Sequence, residues 1–152
     1  MLSPVGPKGP LPDPIKGRVA VVGPCASGKT VLVERLRARG YDARQCAQEH
    51  SYVAEMWRRL SRPEVLVYLD VSLELASGRR PVAYGGDYWR AQDQRLAHAR
   101  QHCDIRVPTD SLSEEQVFAA VVEALADLGI EPVHRDPQWD RSRPHRKPLS
   151  DI

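Results

Sequence analysis

Apolar positions along this chain fall into short continuous runs that alternate with helical stripes. Arg18, Val19, Ala20, Val21 and Val22 make an apolar, β-branched run of the kind a buried strand requires. Residues 31–39 then carry Leu32, Val33 and Leu36 on one helical face. Arg35, Arg37 and Arg39 load the last turn, where cations offset the helix dipole, and Gly40 is the stop signal. Residues 41–48 fit a second strand, made less apolar by Asp42, Arg44 and Gln45, which delivers Gln48, Glu49, His50 and Ser51 at its carboxyl end. Val53, Met56, Trp57 and Leu60 have the i, i+3, i+4, i+7 spacing of a short helix, with Met56 and Trp57 as core residues, and Pro63 forbids its continuation.

The longest apolar run, residues 64–71, reads as a parallel strand covered on both faces and ends beside Asp70. A short helix over 72–77 follows. A basic, glycine-hinged loop over 78–86 contains Arg79 and Arg80, and Asp87 is placed to cap a helix running from 88 to about 102. Residues 103–109 predict the last strand. The final helix has a capping box in Ser113 and Gln116, a hydrophobic staple in Leu112 and Val117, and Gly129 as its C-terminal cap. Its apolar face comprises Val117, Ala120, Val121, Ala124, Leu125 and Leu128. Strands alternating with helices imply an α/β fold of three layers, with a small, about four-stranded, mostly parallel sheet and right-handed crossovers.

Composition trims this picture at both ends. Of 13 prolines, five precede residue 18 and four follow residue 130, so residues 1–16 read as a disordered leader and 131–152 as a disordered Pro/Arg-rich tail. The foldable domain is then 17–130. It holds 15 Lys+Arg and 15 Asp+Glu, so the formal +2 of the chain belongs to the arms. A neutral domain argues against a nucleic-acid-coating role, and the arms are the expected place for any protein partner. Three cysteines without a C-x-x-C pair argue against a disulfide framework or a zinc ribbon and fit a reducing, cytoplasmic setting. No apolar run is long enough for a bilayer, so no membrane association is expected.

Within this arginine-rich domain the only lysine is Lys29, and it sits in a motif. Gly23, Pro24, Cys25, Ala26, Ser27, Gly28, Lys29 and Thr30 fit G-x-x-x-x-G-K-[ST] between a strand and a helix, the setting a Walker A phosphate loop needs. The glycines let backbone N–H groups from Gly23, Cys25, Ala26, Ser27 and Gly28 turn toward a phosphate at a helix N-terminus. Lys29 reaches the β- and γ-phosphates, and the Thr30 hydroxyl takes a position on Mg²⁺. The expected ligand is a nucleoside triphosphate, ATP with Mg²⁺.

In a parallel sheet ligands collect at the carboxyl ends of the strands, which here add Glu49, His50, Asp70, Thr109 and Asp110. Lysine, Mg²⁺, carboxylates and mobile arginines are what phosphoryl transfer requires. Residues 63–79, PEVLVYLDVSLELASGR, resemble the P-[DE]-h-x-h-Y-L-D-V-x-x-E-x-A-x-x-R segment of thymidylate kinases and related small P-loop kinases. With the loop at 23–30 and the segment at 109–115, the resemblance covers most of 18–128 in pieces. It implies a P-loop NTPase fold and transfer of a γ-phosphoryl group to a small-molecule acceptor: a nucleotide, nucleoside or metabolite. It also implies Arg79 and Arg80 as lid arginines, Arg90 and Arg95 as helpers, and adenine held after the last strand, near Asp110.

The chain departs from that family where an Asp-Arg pair should end the strand beside the phosphate loop, for it offers Gln48, Glu49, His50 and Ser51. One strand-helix unit is missing as well. Glu49 is therefore either a metal-linked or general-base carboxylate or a solvated loop acid, and Asp70 either a Walker B-like metal acid or a strand-end cap. His98 and His102 have the i, i+4 spacing of a metal pair but share a polar stripe with Arg90 and Gln94. A nucleotide-binding regulatory module and a nucleoside-triphosphate hydrolase are the alternatives to a kinase.

Overall fold

The computed structural model describes residues 9–72, 74–76 and 86–133. Four strands, β1 (Ile15–Val22), β2 (Asp42–Gln45), β3 (Pro63–Asp70) and β4 (Ile105–Pro108), form one sheet in the order β2-β1-β3-β4. Every pairing is parallel, with Val21 opposite both Gln45 and Val67, and Leu69 opposite Val107. The helices are α1 (Lys29–Ala38), α2 (Met56–Ser61), α3 (Gly86–His102) and α4 (Glu114–Asp127), with a 3₁₀ turn at Gln48–His50. Glu74, Leu75 and Ala76 are also helical.

Strand alternation builds the two cores. Val19, Val21, Val65, Val67 and Leu69 project to one side of the sheet and pack with Leu32, Val33 and Leu36 of α1 and Val117, Val121 and Leu125 of α4. Ala20, Val22, Leu66 and Tyr68 project to the other, where Trp57 of α2 and Leu96 and Ala99 of α3 cover them. The fold is thus α/β, with helices on both faces of a parallel sheet. No helix among the described residues is long and apolar enough to cross a membrane.

The differences from expectation have local causes. β1 begins at Ile15, ahead of the expected boundary at 17, because Ile15 N–H donates to Arg62 O while Arg59 and Arg62 hold the carbonyls of Gly9 and Asp13. At the other end Val133 N–H donates to Gly40 O. The second strand stops at Gln45 rather than Gln48, since the chain curls into the 3₁₀ turn. The helix expected from Val53 starts at Met56, and Leu60, expected inside, is 69% exposed. Only six residues long, α2 buries Trp57 and turns Leu60 outward. Asp87 lies in the first turn of α3 and pairs with Arg90 instead of preceding the helix. In α4 the capping box and the buried Val117, Val121 and Leu125 are as expected, but Ala120 and Leu128 are exposed. The loop carrying Arg79 and Arg80, the first half of the leader and most of the tail lie outside the described residues.

Candidate functional site

The site begins where β1 ends. Gly23 has φ of 159°, and a Cβ there would stand 2.8 Å from both Leu69 O and Ser27 Oγ, so glycine is required by close approach as well as conformation. Gly28 leads into α1 in the left-handed region at φ 95°. Between them Ser27 N–H closes a turn on Pro24 O. The loop that results lies at the carboxyl end of the sheet and at the N-terminus of α1.

Lys29 enters α1 with its side chain folded back and buried. Its ammonium donates to Gly23 O at 2.7 Å, Pro24 O at 3.0 Å and Glu49 Oε2 at 2.8 Å. Both ends of this ion pair are buried, at 6% and 5% side-chain exposure. Two residues that the sequence nominated separately are therefore one unit. Glu49 Oε1 is also buried and has no hydrogen-bond partner among the described residues. The Thr30 hydroxyl is exposed and donates to Gln45 Oε1 at 3.0 Å.

Gln92, which the sequence reading missed, and Gln48, which it named only as a strand-end residue, hold this arrangement. Gln92 of α3, 1% exposed, accepts from Cys25 N–H at 3.0 Å and donates from Nε2 to Cys25 Sγ at 3.1 Å. Gln48, fully buried, accepts from Trp57 N–H and donates to the carbonyls of Val53 and Arg95, so it fixes the turn that presents Glu49. The signal for Gln92 was available: it interrupts the apolar stripe of Trp89, Leu96 and Ala99 on one helix face. Arg95, expected as a helper, donates to Glu49 O at 3.3 Å and lies over the Tyr52 ring.

Ser27 of the loop, Val31 and Leu32 of α1, and Thr109, Leu112 and Glu114 after β4 border a cleft of about 400 Å³. The hydroxyls of Ser27 and Thr109 are buried without a partner among the described residues. Asp110, the residue nominated for this region, works elsewhere: its Oδ1 accepts from Ser72 N–H at 2.8 Å and so joins the ends of β3 and β4. Asp70, nominated for a metal, is bound by Arg106 through Nε and Nη2 at 2.9 and 2.7 Å.

Electrostatics sort the remaining groups. Burial pushes the Cys46 thiol up, against a hydrogen bond with Ser61, so it stays protonated. Burial also pushes Tyr68 up, and its hydroxyl accepts from Arg100 at 3.0 Å. His98 is half-buried rather than part of a fully solvated face. Its Nδ1 accepts from Trp57 Nε1–H at 3.1 Å, its ring stacks on His102, and burial first, then the charge of His102, pulls its pKa down. The chain matches no protein-family model and no curated protein.

Proposed function

We propose that the chain binds a nucleoside triphosphate with Mg²⁺ through residues 23–30 and transfers the γ-phosphoryl group to a small-molecule acceptor. The observation that carries this reading is the buried Lys29 ammonium at the base of a strand-to-helix glycine loop, beside a carboxylate and next to a cleft bordered by Ser27 and Thr109. Phosphate oxygens would take over the acceptor positions that Gly23 O, Pro24 O and Glu49 occupy on Lys29. The cleft between α1 and the segment after β4 would take the base, with Ser27 and Thr109 as its polar contacts.

Thr30, exposed in the first turn of α1, and the unpartnered Glu49 Oε1 suit the hard-oxygen coordination of Mg²⁺, directly or through water. When bound there, the ion would neutralise charge on the transferred group. Asp70, already engaged by Arg106, is the weaker candidate. Glu49 then orients the acceptor hydroxyl and accepts its proton, while Arg95 steadies the turn that carries it.

The same buried pair favours a second reading, a nucleotide-binding module in which Lys29 is held by Glu49 and no acceptor is turned over. One experiment separates the two. Incubation with ATP, Mg²⁺ and a panel of nucleosides, nucleotides and metabolites should give ADP release dependent on one acceptor, and Lys29→Ala should lower ATP affinity at least tenfold. Binding without acceptor-dependent turnover supports the module, and unchanged ATP affinity in Lys29→Ala overturns both.

A further inference from the structure

Behind Lys29, on the side away from the cleft, three side chains of metal-binding type converge. Cys25 Sγ lies 3.4 Å from His50 Nε2, and His50 Nε2 lies 3.9 Å from Glu49 Oε2. One ligand atom from each of Cys25, Glu49 and His50 can be chosen so that all lie within 4.8 Å of one another. Tetrahedral zinc has Zn–S of about 2.3 Å and Zn–N of about 2.0 Å, which sets sulfur and nitrogen ligands roughly 3.5 Å apart. The Cys25–His50 separation already has that value.

The surroundings fit an ion of this kind in three respects. Glu49 keeps one carboxylate oxygen on Lys29 and leaves the other, Oε1, buried and unpartnered, so an additional cation need not displace the lysine. Gln92 donates to the Cys25 sulfur and holds the Cys25 backbone, which orients the sulfur, as outer-shell donors do at metal centres. His50 is 49% exposed, so the cluster is open to solvent on one side, giving the ion a path in and a place for water as fourth ligand.

We propose that Cys25, His50 and Glu49 form a site for a thiophilic divalent ion of the zinc class. The ligands are Cys25 Sγ, His50 Nε2 with its proton on Nδ1, a carboxylate oxygen of Glu49 and one water. Binding releases the Cys25 thiol proton to solvent and changes no oxidation state. A sulfur and an imidazole select against Mg²⁺, so the ion held here differs in chemistry from Mg²⁺ at Thr30, although both would draw on Glu49. An ion here ties the 3₁₀ turn to the glycine loop whether or not a nucleotide binds.

Cobalt(II) titration of the reduced full-length protein, without nucleotide, tests the site. The expected result is one Co²⁺ per chain with a thiolate-to-metal charge-transfer band and four-coordinate d–d bands, all displaced by Zn²⁺. Cys25→Ser should remove the charge-transfer band. His50→Ala, at an exposed ring, should weaken Co²⁺ binding at least about tenfold with an unchanged melting profile. His102→Ala, which alters the stacked His98 and His102 pair, should leave the spectrum as it was. Absence of stoichiometric Co²⁺ binding overturns the assignment, as does a charge-transfer band that survives Cys25→Ser or that disappears in His102→Ala. No readout involves a nucleotide, so failure of the phosphoryl-transfer reading would leave this result standing.

Discussion

At the scale of single residues the molecule turns on a buried charge that local sequence explains only in half. Lys29 is legible because the spacing of Gly23, Gly28 and Thr30 around it is the pattern expected of a phosphate loop between a strand and a helix. Its partner is not, since Glu49 lies 20 residues away and arrives through the 3₁₀ turn that Gln48 fixes. Two desolvated charges of opposite sign stabilise each other while each alone is costly. Glu49→Ala should therefore destabilise the protein by about 3 kcal/mol, moderated by the two carbonyls that remain on the ammonium. Lys29→Met should cost a similar amount by stranding the carboxylate. In urea unfolding the double variant Lys29→Met with Glu49→Leu should lose clearly less than the sum of the single changes. Strict additivity would show that the two charges do not depend on each other in the folded state.

At the scale of elements, legibility follows how much of the signal is local. α4 was readable to its first residue because Ser113 and Gln116 sit in one turn and their bonds are both made, Gln116 N–H to Ser113 Oγ and Ser113 N–H to Gln116 Oε1. Ser113→Ala should cost about 1 kcal/mol, read as a shift in the urea midpoint at unchanged slope. A change in slope would mean that more than the cap had been lost. β3 was equally plain, since a run buried on both faces needs no alternation to announce it. β2 and α2 were overextended for a common reason. Their ends are set by partners far along the chain, Gln48 bonding Arg95 O and Trp57 bonding His98, which no window of neighbouring residues contains. The polar β2, at the sheet edge with Arg44 and Gln45 exposed, is also what keeps that edge from recruiting another strand.

Across the whole molecule, the sheet order brings together at one end what the sequence distributes between residues 23 and 109: the glycine loop after β1, Glu49 after β2, and Thr109 after β4. The alternation of strands and helices made that convergence foreseeable, whereas the bonds that lock it, from Gln48 to Arg95 and from Gln92 to Cys25, join residues far apart in the chain, and periodicity marks Gln92 only as a polar break in an apolar stripe without naming its partner. The layer of α2 and α3 is joined at Trp57 and His98, and there the fold acquires a pH dependence. His98 can accept the Trp57 N–H only while Nδ1 is unprotonated, and burial together with His102 lowers its pKa, with Glu55 opposing them weakly. The unfolded chain therefore binds a proton at higher pH than the folded one. The stability this contact supplies is fully present above the unfolded histidine value of about 6.5 and is lost as pH falls through the lower folded value. Urea unfolding between pH 7.5 and 5 should show the wild type weakening toward acid. His98→Ala should be less stable at pH 7.5, where it strands the indole N–H, but should fall less steeply over the same interval. Equal slopes in the two proteins would assign the acid sensitivity to other groups, and a steeper fall in His98→Ala would reverse the sign argued for His98.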